Sequence, residues 1–135
     1  MDRFARNFIV FSIMYLALAS LLGVAMLWYP SLMALKFVHS HLNMLGWVSM
    51  MIYGVGYHIL PRFSGKPLRY PKIGEIQFWT ANIGLIGMLV FYTIYIYHPA
   101  LSYKIISVSF GALEVFSIFL FIYNMLATLL IEQAT

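Results

Sequence analysis

Four long apolar runs, at about residues 7–29, 37–60, 76–97 and 104–131, occupy nearly the whole chain and constrain its fold more than any other feature. A helix needs roughly 20 apolar residues to cross a hydrocarbon layer of about 30 Å, so each run has the length of one crossing. Between the runs, Tyr29-Pro30-Ser31, the stretch from Pro61 to Gly74, and His98-Pro99 put proline where a helix should stop or pause. The expectation is an all-α integral membrane four-helix bundle, one transmembrane domain over 1–135, with nothing left over for a soluble domain. Composition agrees, since 63% of residues are hydrophobic, only 9% are charged, and the mean hydropathy is +0.89.

The charges set an orientation. Arg3, Arg6, Arg62, Lys66, Arg69 and Lys72 fall on one side of the expected bundle, and Lys36 and Lys104 on the other. Cytoplasmic loops carry the excess of Lys and Arg, which predicts both termini in the cytoplasm and a multi-pass protein of the cell's inner membrane. The net charge of +4 is then a topology signal and an attraction to anionic lipid. No basic run is long enough to suggest nucleic acid. The opening Met-Asp-Arg-Phe-Ala-Arg leads into an apolar run that is too long for a removable signal and lacks a clear small-residue cleavage site, so this segment is expected to persist as a helix. Tyr29, Tyr57, Tyr70, Tyr97 and Tyr103 cluster at the predicted helix ends, where their amphipathic rings favour the headgroup level.

The chain has no cysteine, which excludes disulfides, iron–sulfur clusters, thiolate-ligated haem and c-type attachment. A metal would have to rest on imidazole, thioether or oxygen. His39 and His41 are two residues apart, so on an α-helix their rings point about 200° apart and cannot clamp one haem. Such a pair can offer one ligand to each of two cofactors or two subunits; the plainer reading is a pair of interfacial rings beside Lys36. His58 lies 17 residues beyond His41, about 25 Å along a helix axis, and reads as an interfacial ring near Arg62. His98, ahead of Pro99, is expected on the same side as the pair, where it serves either as a second axial ligand or as a cap. Met44, one turn from His41, is a possible thioether ligand, while the other methionines read as core.

Asn43 is placed to orient a ligating imidazole. Gly46 belongs to a stripe of small residues that includes Ser49 and Gly56, matched by Thr80, Gly84 and Gly87 and by Ser107 and Gly111 in the later runs. Such stripes let helix backbones, or a flat cofactor, approach closely. Glu114 is the one acid well inside a run. It is either a proton carrier or a neutral acid bonded to a partner such as Asn82 or Tyr53.

From His39 to Gly84 the sequence resembles subunit I of the haem–copper oxidases and the related nitric oxide reductases. The matched elements are His39-Ser40-His41, Gly46, Gly54, His58, Pro61, Phe63-Ser64-Gly65, Phe78-Trp79-Thr80 and Ile83-Gly84, in order, over about a third of the chain. They are similar to the tenth helix and the start of the eleventh in that subunit. The resemblance implies that His39 would serve a high-spin haem and His41 a low-spin one, on the outer side of the membrane. His41-Leu42-Asn43 also resembles the His-x-Asn of the second helix in the nitric oxide reductase branch, which supplies the other low-spin ligand.

The family's copper is held by histidines on helices that this chain lacks, so a complete oxygen-reducing centre is not expected. The family arranges about twelve helices as three similar arcs of four, and oligomers tend to closed symmetry. A four-helix chain bearing the ligand helix therefore suggests a homotrimer, or next a homodimer, with haem between protomers. The expected function is haem b binding for electron transfer, with a redox partner, or for redox or gas (NO, O2) sensing. The alternatives are a minimal oligomeric reductase or oxidase-like enzyme in which Glu114 delivers protons, and a cofactor-free assembly subunit.

Overall fold

The computed structural model describes residues 1–130. The fold is all-α, and among the described residues there is no strand. Helix α1 spans Arg3–Trp28, and a 3-10 turn over Pro30–Leu35 follows, entered through Pro30. A second helical run then passes without interruption through α2 (Lys36–His41), a π-helical segment (Leu42–Ser49) and α3 (Met50–Phe63). Helices α4 (Pro71–Tyr97) and α5 (Leu101–Leu130) complete the bundle. Three of these helices, α1, α4 and α5, are each long and apolar enough to cross a membrane as a single regular element. Leu18, Leu21, Val24 and Leu27 on α1 and Val108, Val115 and Phe119 on α5 face outward. A water-soluble fold would have to hide such faces; a bilayer solvates them.

The helices begin earlier than the apolar runs do, because short polar stretches at their ends continue the hydrogen-bonded ladder. Thus α4 starts at Pro71, a residue suited to a first turn in which its missing N–H is not needed. Residue 131, the end of the fourth apolar run, lies outside the described residues. Pro61 does not end its helix. It is carried within the last turn of α3, where few later residues depend on it, and its carbonyl accepts from the Lys66 N–H at 3.0 Å and the Ser64 hydroxyl at 2.9 Å. The chain turns away two residues after Phe63, at Gly65, whose φ of +66° a side chain would disfavour.

Two antiparallel pairs make the bundle. The run 36–63 lies along α1, with Gly54 against the Ala5 carbonyl and Ile9 and with Gly46 against the ring of Tyr15. Helices α4 and α5 pack more closely. A Cβ on Gly84 would stand 2.8 Å from the Glu114 nitrogen, and one on Gly87 would enter the ring of Phe110. Edge-to-face contacts of Phe8 with Tyr53 and Phe78 then join the pairs around a core that includes Met50 and Leu85. At one end, Lys66 Nζ donates to the Leu129 carbonyl at 3.2 Å and the Arg69 N–H to the Thr128 hydroxyl at 3.1 Å. Met1 and Asp2 border a cleft there with His58 and Arg62, so the basic residues of the N-terminus and of the loop share this end.

Candidate functional site

The π-helical segment begins directly after the histidine pair. Each of its turns takes in an extra residue, and at its end the Ser49 hydroxyl donates to the Met44 carbonyl at 2.8 Å. Extended π geometry is costly and concentrates at functional sites. The pair itself lies in the regular α2 turn, where the two rings diverge as the helical angle requires.

His41 faces α4. Its Nδ1 lies 2.8 Å from the Phe37 carbonyl, so that nitrogen carries the proton and Nε2 keeps its lone pair. The imidazole lies over Phe37 at 3.8 Å between ring centres, and Phe37 in turn lies over Tyr92 of α4 at 4.1 Å. The result is a half-buried imidazole with a fixed tautomer, leaning on an aromatic shelf. On the far side of Phe37, an apolar groove of about 510 Å³ runs between α4 and α5, floored by Gly111 and Ala112 and bordered by Tyr92 and Lys104.

His39 faces α1 instead. Its ring fits against Gly23, where a Cβ would come within 3.0 Å of Cε1. Asn43 Nδ2 donates to the His39 carbonyl at 2.9 Å and approaches Nε2 at 3.5 Å, while Nδ1 is buried without a partner. Asn43 thus touches an imidazole, as expected of a residue that orients one, but the imidazole is that of His39. Gly46 admits the side chain of Tyr15, so in the lone protomer its open face is filled by protein.

The other ligand candidates stand apart. Met44 is exposed on the outer surface of the bundle. His98 is exposed at the C-terminal end of α4, and His58 borders the cleft at the basic end. Among the described residues no three His, Asp or Glu side chains gather into a site for a bare metal ion. A haem needs only one or two axial ligands, so it does not depend on such a cluster.

Glu114 is buried at the centre, with neither carboxyl oxygen bonded within the protein. Asn82, one of its expected partners, is engaged elsewhere: it accepts from the Tyr15 hydroxyl at 2.8 Å and donates to the Phe78 carbonyl at 2.7 Å. Tyr53, the other, closes no hydrogen bond with it. The stripe residues divide. Gly84, Gly87 and Ser107 face the α4–α5 seam, where the Ser107 hydroxyl donates to the Met88 carbonyl at 2.9 Å, whereas Thr80 bonds only carbonyls of its own helix.

No protein-family model, curated protein or solved structure matches the chain. The case for a site therefore rests on these side chains. Histidines and charge do not point to Phe37, which lies under His41, to Tyr92 behind it, or to Gln77, Ser117 and Asn124, which are buried. A readable signal existed for the last three, since uncharged polar side chains inside an apolar run also need partners.

Proposed function

We propose that this chain is a four-span protein of the cell's inner membrane, with both termini in the cytoplasm, that binds haem b through His41. Its role in this reading is electron transfer, or sensing of redox state or of gases such as NO and O2. The observation that carries the reading is the hydrogen bond from His41 Nδ1 to the Phe37 carbonyl. It fixes the tautomer and ring orientation and presents Nε2 from a half-buried apolar edge, as such bonds do for ligating histidines generally. The ordered motif elements from His39 to Gly84 supply the identity of the group.

Haem exchanges single electrons when both axial positions are filled and binds small gases when one is open. His39 would need α1 and Asn43 to move aside before its Nε2 became free. A second imidazole therefore comes most directly from a neighbouring copy. This favours a homo-oligomer, a trimer before a dimer, with haem between protomers. A second reading, a minimal reductase or oxidase-like enzyme, draws support from one observation, the unpartnered acid Glu114 in mid-bundle.

The optical spectrum of purified protein tests both. We expect a Soret band in the full chain and its loss in His41→Ala. A sharp reduced α-band indifferent to CO means electron transfer, and one that moves with CO means sensing or catalysis. Full haem occupancy in the variant, or no Soret band in the parent, overturns the assignment.

A further inference from the structure

Below Glu114, toward the basic end, the centre of the bundle is polar, and its polar atoms are not bonded to one another. Five residues there are buried to 2% exposure or less: Glu114, Ser117, Gln77, Tyr57 and Asn124. Both oxygens of Glu114, the Ser117 hydroxyl, both ends of the Gln77 amide, the Tyr57 hydroxyl and Asn124 Oδ1 lack a partner within the protein. Buried polar atoms left unbonded are costly, and a bilayer-embedded bundle offers no exit to solvent sideways.

They also fall in sequence along one line. Ser107 bonds to Met88 and Asn124 Nδ2 bonds to the Tyr70 carbonyl, at 2.9 Å each, which fixes the antiparallel register of α4 and α5. In that register Gln77 is level with Ser117, between Glu114 and Asn124. Tyr57 reaches the same line from α3, facing Asn124 without closing a hydrogen bond. The line ends at the loop, where Tyr70 is half-exposed and the Arg69 N–H bonds to Thr128. In the other direction it stops, because Ser107 is satisfied and the residues between it and Glu114 are Phe110, Gly111 and their apolar neighbours.

We propose that internal water joins Gln77, Ser117, Tyr57 and Asn124 into a file that carries protons between Glu114 and the basic end of the bundle. Buried waters typically make about three hydrogen bonds to otherwise unbonded groups, so a few would satisfy the whole line. Each transfer moves one proton from a hydronium at the loop end, along the hydrogen-bonded file, onto a Glu114 carboxylate oxygen; release runs in reverse. The titratable side chains facing Glu114 are Tyr15 from α1 and Tyr53 from α3. Helix α4 meets Glu114 with the backbone at Gly84. The file uses neither His39 nor His41, and it stands or falls apart from haem binding.

Infrared spectroscopy of the full chain in lipid vesicles, moved from H2O to D2O, tests the file. We expect a protonated-carboxyl C=O band that is absent in Glu114→Gln and that shifts as the acid exchanges. In Ser117→Ala and in Gln77→Leu the exchange should slow about tenfold, the effect of one lost hydrogen-bonding partner on a rate. Met44→Ala, on the outer surface, should leave it unchanged. No acid band in the parent, an unchanged rate in both interior variants, or equal slowing in Met44→Ala overturns the proposal. If Gln77→Leu fails to assemble, Ser117→Ala, which removes one oxygen, decides alone.

Discussion

At Gly84 an added Cβ would meet backbone atoms alone, and this yields the sharpest prediction about stability. A methyl group there would stand 2.8 Å from the Glu114 nitrogen, 3.1 Å from its Cα and 3.1 Å from the Phe110 carbonyl oxygen. All three are backbone atoms of α5, so no side chain can rotate away. Ordinary carbon contacts lie at about 3.5–4.0 Å, so α4 and α5 must separate locally by roughly 0.5–1 Å, which forfeits about a quarter to a half of each dispersion contact near the seam. Overpacking of this kind costs about 1–3 kcal/mol. Alanine returns at most about 1 kcal/mol through its better helix propensity. Gly84→Ala should therefore destabilise by about 1–2 kcal/mol, a drop of several degrees in Tm for a chain of this size.

Gly111→Ala is the matched control, because its methyl would meet only the flexible Met88 side chain, 3.3 Å from the sulfur. There the propensity gain should dominate and Tm should hold or rise. The assay is loss of helical circular dichroism on heating in one detergent at one scan rate, since membrane-protein unfolding is often irreversible. If Gly84→Ala melts at or above the parent, or if both variants fall equally, backbone contact at Gly84 is not what limits the seam.

Three further outcomes follow from named contacts. Tyr15→Phe leaves Asn82 Oδ1 buried without its donor and should cost about 1–3 kcal/mol, read as a lower Tm; no change would mean that another group satisfies Asn82. Phe37→Ala removes the ring beneath His41 while keeping the carbonyl that holds Nδ1, so haem should be retained with a looser site and a broadened Soret band, whereas complete loss would shift the weight from the hydrogen bond to the aromatic shelf. His58→Ala and Met44→Ala should keep full haem occupancy, one lying at the basic end and the other on the outer surface; loss in either would redirect the ligand assignment.

The helices were legible because apolar length is a one-dimensional signal, and so was the divergence of His39 and His41, which follows from helical rise and angle alone. The π-helical segment was not, since nothing in the order of residues 42–49 marks an extra residue per turn. Pro61 misled for a related reason. Its missing N–H forfeits one bond, to the carbonyl four residues back, yet the helix runs on to Phe63, and Gly65 rather than proline turns the chain. The surroundings of Glu114 were beyond reach as well, because they depend on interhelical register, which no local pattern in this sequence encodes.

The ligand geometry links haem coordination to assembly. Within one protomer, His41 turns toward α4 while His39 is held against α1 under Asn43, and His98 is exposed at the end of α4. In the haem reading the protomer offers one ready imidazole, and a six-coordinate haem would take its second from another copy. Native mass spectrometry and reduced spectra, followed together as detergent is raised, should show a CO-indifferent haem in the oligomer and a CO-binding haem once it dissociates. Neighbours that share a cofactor should also be stabilised by it, because haem bound at an interface favours the assembled state by mass action. A monomer in mild detergent with a CO-indifferent spectrum would instead mean that α1 yields and that His39 serves its own chain. Gly23→Ala separates these cases: its methyl presses on the His39 ring and leaves His41 untouched. It should spare an intersubunit haem and disturb an internal one.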